Sequence, residues 1–577
     1  MIINNIKPFY TNRCVNFSGI EGFWHENCKL NLMPKISKNK ANQESSSNGS
    51  QTGTFILNNK SQQGLTLFRF DSMDDWRSEL LDALQKIGYT TYQKRNAVWA
   101  WEDGKTVPCQ NDQPSVAYGC EFTREPLGTD EPCLAIRAKE IYFQKGEVVH
   151  LVPEQKKQVS GPAQELRIEY CLKIAERLAT IIPGLEAMPV RIRSAHSGVH
   201  QRTSLVFKNH KTDPAIDRPW TGLRKFGFHT MPKNFKVVVF VMLPTDERVQ
   251  SYIAFLRNAF RSYGEIVDIE IRPFFSDYHD LREGAVGLFG LEGSKEVSLR
   301  EEELEFLDRL DRKNVRYRMF SLANSDMKWS AFDQAVSLVH TAGGIPYHLE
   351  LPWPEAKSCI FSIGVDLGHP IKEAKSILAI SLIDPKGLHI KSWRYEQARS
   401  ENADLSALQC ALAKAKALAE KISPEEECRF LVVRDGRRNK SERVGHYREV
   451  LGQAMTFVDL SKRRSCHMFA LRTRPKPAEP GTVLFVGKKN TPFIVPIAPA
   501  FHQQMINPQK VNLRKEWDGL GLGFGRVCAL LTGMCYSPSL GMKPHRSPAP
   551  IYWANGIAGI QESNCQFRGQ LASQLVL

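Results

Sequence analysis

The chain has 577 residues, 42% of them hydrophobic, enough to bury several cores and, by length, to form three or four domains. A formal net charge of +15 favours a polyanionic partner, because cationic side chains that neutralise phosphates release condensed counterions. The longest apolar run, residues 237–243, is too short to cross a bilayer, the N-terminus lacks the apolar core of a signal peptide, and the 13 cysteines include no Cys-x-x-Cys pair. The cysteine scatter argues against a zinc ribbon or a disulfide framework, and a soluble, cytoplasmic protein with free, mostly buried thiols is expected.

Residues 1–65 have little periodicity and pass into a Ser/Asn/Lys/Gln-rich stretch at 35–53, which reads as a flexible N-terminal arm. Residues 66–221 read as an α+β lobe: a helix over 74–87 stopped by Gly88, strands near 96–101 and 140–143, a long helix with Pro162 in its first turn, then strands near 189–193 and 204–208. Nothing in this lobe has the look of a reacting site. Residues 213–227, with Pro219, Gly222 and Gly227, read as loop and turn, and 222–235 as a connector.

From 236 to 355 the pattern alternates. A buried strand at 237–243 is followed by a helix over 246–262 with Thr245 as its cap and Gly264 as its stop, a strand at 266–272, a helix around 299–312, a strand at 315–320 and a helix around 330–341. Such alternation predicts a parallel sheet covered by helices, with ligands at the carboxyl ends of the strands.

The segment 356–577 opens on Cys359-Ile-Phe-Ser-Ile-Gly-Val-Asp366-Leu-Gly-His-Pro370, an apolar strand that delivers a lone carboxylate before a Gly-His-Pro turn. Arg429-Phe-Leu-Val-Val-Arg-Asp435-Gly repeats the pattern. Strand-like runs at 376–384 and 391–396 and an amphipathic helix over 402–422 lie between them. Strand, strand, strand, helix, strand is the order of the RNase H fold, in which the first and fourth strands are neighbours. Two carboxylates that close repel unless a divalent cation sits between them. One Asp at a strand end is more often a turn former than a ligand, and His369 reads more readily as a turn or packing residue; the pairing in order raises the functional reading. Lys462, Arg463 and Arg464 after a strand, and Lys488 and Lys489 in a turn between strands, suit nucleic-acid backbone contacts or equally a solvated basic surface. Gly519–Gly525 lacks the strand-turn-helix context of a dinucleotide loop and reads as a flexible connector to a helix at 526–532.

Gly364-Val365-Asp366, Val433-Arg434-Asp435-Gly436 and the late Ser547-Pro-Ala-Pro-Ile-Tyr-Trp-Ala-Asn555 resemble the PIWI domain of prokaryotic Argonaute proteins. The resemblance implies an α/β multidomain chain: an RNase H-like PIWI domain over 356–577, a Rossmann-like MID domain over 236–355 that holds a guide's 5′ end, and an α+β N-terminal lobe too short to include a PAZ domain as well. It also implies a nuclease tetrad. Asp366 and Asp435 take its Asp places, Asn555 the fourth, and Glu401 the glutamate, with Glu396 the weaker choice. Two Mg²⁺ or Mn²⁺ ions would sit on Asp366, Asp435 and Asn555. In the MID part the family's Gln place falls on Arg318, and Thr341 stands where a Lys precedes Gly343-Gly344. This departure resembles the minority that accepts a 5′-hydroxyl guide, with Arg318, Thr341 and the terminal Leu577 near the guide end.

The function implied is guide-directed cleavage of a paired target strand, DNA more than RNA, in host defence. A silent guide-binding protein that recruits a separate effector is the alternative, and an unguided RNase H-like nuclease a third.

Overall fold

The structure, a computed structural model, describes residues between 63 and 558, except 70–75, 108–114, 126–132, 150–173, 195–203, 213–218, 277–283, 292–305, 351–358, 370–374, 462–468, 495–508 and several shorter stretches. The expected N-terminal arm, most of the helix expected from Pro162, Glu401, Lys462, Arg463, Arg464, Lys488, Lys489 and Leu577 lie outside the described residues. Two compact units are present: Met1–Ala195 with Lys462–Lys510, and His196–Ser461 with Val511–Leu577.

The first unit begins with β1 (Gln63–Arg69), α1 (Trp76–Lys86), β2 (Tyr89–Lys94), β3 (Ala97–Val107), β4 (Ser115–Glu125), β5 (Cys133–Gln144), β6 (Glu147–Val149) and β7 (Glu186–Ser194). These strands form an antiparallel sheet in the order β2-β3-β4-β5-β1-β7. Alternation along β3 buries Trp99 and Trp101 with Ala117 and Ile141, while the Trp99 indole N–H donates to the buried Glu121 carboxylate at 3.0 Å.

The second unit follows with β8 (Ser204–Val206), α2 (Pro219–Phe226), β9 (Lys236–Val241), α3 (Glu247–Ser262), β10 (Asp268–Pro273), β11 (Ala285–Leu291), β12 (Tyr317–Ser321), α4 (Met327–Thr341) and β13 (His348–Glu350). Strands β9 to β12 make a fully parallel sheet in the order β10-β9-β11-β12. Its core is aromatic, with Phe240 stacked on Phe289 at 4.7 Å and Tyr252 on Phe320 at 4.0 Å. Three local readings change here. The segment read as loop at 213–227 contains helix α2. Pro219 suits a helix start, Gly227 at φ +82° closes the helix through its N–H to the Leu223 carbonyl, and a Cβ on Gly222 would meet the Phe207 ring at 2.0 Å. The cap of α3 is Asp246, not Thr245: its Oδ1 accepts the Arg248 N–H at 2.7 Å. Strand β11, Ala-Val-Gly-Leu-Phe-Gly-Leu, was hidden by its glycines, which leave room for Val241 and Phe320 against the sheet.

The RNase H-like part comprises β14 (Ile360–Gly368), β15 (Lys375–Ile383), β16 (His389–Ala398), α5 (Leu405–Ile422), β17 (Arg429–Asp435), α6 (Val444–Leu451) and β18 (Met455–Ser461). The strand order is β16-β15-β14-β17-β18, antiparallel among the first three and parallel from β14 onward. Asp404 caps α5 by accepting the Ala407 N–H at 3.0 Å. Leu408, Ala411, Leu412, Ala415 and Ala419 then form one helical stripe against Phe361, Ile363, Val365, Phe430 and Val432.

The chain returns to the first unit with β19 (Phe469–Leu471), β20 (Pro475–Pro477), β21 (Thr482–Val486) and β22 (Thr491–Ile494); β21 and β22 form a hairpin whose first strand pairs β7. After β23 (Gln509–Asn512) come α7 (Gly523–Gly533) and α8 (Ala549–Ala558). The glycine-rich run before α7, expected to be flexible, is tied down. Asp518 accepts the Leu522 N–H at 3.0 Å and the Gly523 N–H at 2.6 Å, and the Thr456 hydroxyl donates to Asp518 at 2.6 Å.

Candidate functional site

Residues 360–365 of β14 align with 429–434 of β17 in parallel register. Continued by one residue, that register sets Asp366 beside Asp435 on strands about 4.8 Å apart, and side chains at matched positions share a face. That face is the one covered by α8. A Cβ on Gly364 would meet the Pro550 carbonyl oxygen at 2.0 Å, and one on Gly368 the Ala558 carbonyl oxygen at 2.2 Å, so only glycine lets the helix lie this close to the strand. Asp366, between them, is 8% exposed and accepts the Leu367 N–H at 2.8 Å; Asp435, at the end of β17, is half-buried.

Asn555 lies on α8 between buried Ala554 and buried Ile557, and is itself exposed. Beyond β16, whose end is level with the carboxyl end of β14, Ser400 and Asn402 are each held by side chains. The Ser376 hydroxyl bonds the Ser400 carbonyl and N–H, and Gln397 bonds the Asn402 carbonyl and the Asp404 N–H. Glu396 sits two strands from β14, roughly 10 Å away by strand spacing, and is engaged by Lys375 at 3.0 Å and Arg394 at 3.5 Å. His369 packs as a turn residue, its Nδ1 2.8 Å from the Ser376 hydroxyl.

On the opposite face of β17, Arg434 is buried and paired at 3.0 Å with buried Glu442, to which the Tyr447 hydroxyl donates at 2.5 Å. Burial opposes the Arg434 charge, but the Glu442 carboxylate outweighs it and the pKa is raised; Asp366 adds to the same field. One Arg434 N–H also holds the Asp435 carbonyl at 2.5 Å. This support was not anticipated, although an Arg between Val433 and Asp435 in an apolar strand is a visible signal.

Carboxylate oxygens on two adjacent strand ends, one half-buried, are hard donors of the kind that Mg²⁺ and Mn²⁺ take. Asp366 and Asp435 fit such ions.

Arg318 on β12 and Thr341 at the end of α4 are brought together: the Arg318 Nε–H donates to the Thr341 hydroxyl at 2.6 Å, and that hydroxyl donates to the Ser337 carbonyl at 2.8 Å. Arg318 is 4% exposed and its Nη1 has no hydrogen-bond partner. Burial pushes the guanidinium down to about 9, against the pull of Asp333 and Tyr552, so it stays a cation at neutral pH. Tyr552 belongs to α8, which places this cation at the seam between the parallel sheet's helix and the RNase H-like part. Asp333 on α4 accepts the Met542 N–H at 2.7 Å across the same seam, and the Tyr347 hydroxyl donates to the Gly541 carbonyl at 2.9 Å. His340 and His389 lie there too. Burial holds His340 down to about 3, helped by the Arg318 charge, and burial holds His389 well below its usual value while it stacks on Trp553 at 4.1 Å.

No family model and no curated protein matches this chain. Solved structures do. The crystal structure of Drosophila Piwi aligns with a TM-score of 0.59 at 14% identity over 88% of this chain and 87% of that one. Kluyveromyces polysporus Argonaute with a guide RNA aligns with a TM-score of 0.61 at 10% identity over 83% and 77%. Marinitoga piezophila Argonaute in complex with 5′ OH guide RNA and target DNA aligns with a TM-score of 0.57 at 10% identity over 85% and 86%. A mixed α/β multidomain chain with an RNase H-like sheet behind a parallel α/β layer, matched over most of its length by these structures, has the fold of Argonaute and Piwi proteins.

Proposed function

We propose that the chain binds a short guide nucleic acid and cuts a target strand paired to it. The observation that carries this reading is the β14–β17 register, which aligns two carboxylates on one face at the carboxyl ends of neighbouring strands. Base pairing would supply sequence specificity, and the protein, with a net charge of +15, would contact backbone phosphates without reading bases. Lys462, Arg463, Arg464, Lys488 and Lys489 are proposed for those contacts, and the guide and target of the Marinitoga complex favour an RNA guide and a DNA target.

Asp366 and Asp435 would hold the ions, with Asn555 lending an amide oxygen and Glu401 completing the set. Mg²⁺ or Mn²⁺, when bound, supplies a water of lowered pKa and charge stabilisation for phosphodiester hydrolysis. The residues' own part would be to hold those ions at fixed places, since a carboxylate repels the phosphate itself. The Asp366 carboxylate is held by the Leu367 N–H and the Asp435 backbone by Arg434, which lessens the freedom lost when the site is filled. At the seam, Arg318 offers a single buried cation and Thr341 a hydroxyl. The exposed Arg316 also reaches the Thr341 carbonyl, at 3.5 Å, so the place holds two arginines but no lysine pair; a phosphate dianion gains from several charge-assisted bonds, and the missing lysines favour a neutral 5′-hydroxyl end.

The exposed, uncharged Asn555 favours a second reading, a guide-binding protein that does not cut and acts through a separate effector. Purified protein with Mn²⁺ or Mg²⁺, given 5′-hydroxyl and 5′-phosphate guides of RNA and of DNA and a labelled complementary target, separates the two. A single guide-dependent cut that Asp366→Ala and Asp435→Ala each abolish, with guide loading retained, is the expected result. Tight guide-dependent target binding without a cut in any combination sinks the nuclease reading and supports the recruiter.

A further inference from the structure

The described residues contain one cluster with metal-ligand geometry, and it lies away from the carboxylate pair. The ring nitrogens of His210, His229 and His348 all fall within 4.8 Å of one another. We propose that these three histidines form a binding site for a divalent transition ion of the Zn²⁺ or Co²⁺ class.

Three different segments deliver them, and each is fastened. His348 opens β13, which pairs with β8, and its neighbour Tyr347 packs on Phe207 at 5.7 Å between ring centroids. The His229 backbone is laced to the segment just before β13, its N–H donating to the Pro346 carbonyl at 2.9 Å, while Thr230 exchanges bonds of 2.8 Å with Ile345. His210 ends a short turn in which Phe207 N–H donates to the Lys211 carbonyl at 2.9 Å, with Asn209 and His210 at φ +54° and +55°. Left-handed backbone at two successive non-glycine residues is uncommon and costs of order 1 kcal/mol or more each, although Asn and His are among the types that tolerate it. The rigid turn aims the third imidazole at the other two.

The second contacts of the rings are those of metal-binding histidines. The His348 Nδ1 lies 3.3 Å from the Leu349 carbonyl, which can only accept, so Nδ1 carries the proton and Nε2 presents its lone pair. The His229 Nδ1 lies 2.9 Å from the Thr230 hydroxyl, which can accept its proton and so free Nε2 for a ligand. Ring pairs at 5.3 and 4.7 Å meet edge to face rather than stacked. Nitrogens on a tetrahedral ion lie about 3.3 Å apart, so modest side-chain rotation closes the set. No carboxylate or thiol joins the cluster among the described residues, leaving the fourth position to water. Imidazole selects Zn²⁺, Co²⁺ or Ni²⁺, whereas the Asp366–Asp435 pair selects Mg²⁺ or Mn²⁺. Burial, the neighbouring histidines and Lys386 all disfavour positive charge at the His229 ring. Lys386 also opposes a bound cation, so removing its charge should tighten binding.

The test uses untagged full-length protein stripped with a chelator and titrated with Co²⁺, then Zn²⁺, reading the d–d absorption of cobalt and the retained zinc after desalting. One equivalent should bind. His229→Asn and His348→Asn should each weaken it by more than about 100-fold. His210→Asn, at an exposed turn where Asn also suits the backbone, should do the same without unfolding. Lys386→Gln should lower the Kd. Asp366→Asn with Asp435→Asn should leave the signal intact. Absence of a cobalt spectrum, binding that survives all three histidine variants, or a signal lost in the carboxylate double variant would each overturn the proposal.

Discussion

The carboxylate pair and the buried arginine belong to one compact unit, but different forces place them. Asp366 and Asp435 take their positions from strand register, with glycines at 364 and 368 letting a helix close directly over the same face. Arg318 is placed by side chains from several elements: Thr341 holds its Nε, Asp333 balances its charge, and burial of its unpartnered Nη1 carries a free-energy cost. A site set by backbone geometry tolerates change around it and fails when the backbone shifts. A site set by side chains fails one contact at a time.

Four experiments press on that contrast. Glu442→Ala should have the largest effect on folding, about 3–5 kcal/mol, because it strands the buried Arg434 charge behind the carboxylate face. Chemical denaturation measures this loss, and a loss below 1 kcal/mol would mean water reaches the arginine. Gly364→Val should cost roughly 3 kcal/mol or more, since the added carbons meet the Pro550 carbonyl; cleavage should fall with it even though no ligand has changed. Arg318→Met removes a charge-assisted donor and should weaken guide binding roughly 10-fold to 100-fold while sparing stability, as seen by filter binding with 5′-hydroxyl guides. An equal loss for guides lacking any defined 5′ end would divorce Arg318 from end recognition.

The smallest effect is on pH. His340 and His389 have folded-state pKa values below the ordinary 6.5, so the unfolded chain takes up protons that the native one refuses. The stability from these groups is present above about pH 6.5 and is lost as pH falls towards about 3. Melting temperatures between pH 7.5 and 5 should drop, and His389→Gln should flatten the slope.

The β14-to-β17 core was legible in the sequence because apolar runs ending in Asp-Leu-Gly and Asp-Gly announce both strand and turn within a few residues. That the fourth strand lies beside the first came from the match of strand, strand, strand, helix, strand to the RNase H order, and β17 does pair β14. Helix α2 was not legible: Pro219 and Gly222 read as breakers, and only the close approach of Phe207 explains why glycine serves there. Asp246 rather than Thr245 caps α3 because helix phase, set by packing, decides which of two adjacent capping residues meets the free N–H groups. The three histidines were invisible as a group, since no local spacing links positions 210, 229 and 348.

Helix α8 touches both places at once. Its first turns carry Tyr552 beside Arg318 and Trp553 against His389, and its last residue rests on Gly368, past Asp366. With ten residues it is about 15 Å long; it meets bare backbone at Gly364 and Gly368 and packs beside them on the Ala379 and Ile383 side chains. Such a rod has little compliance: a push at the seam that tilts one end must move the other, so the residues beside Arg318 and those over Asp366 cannot shift independently.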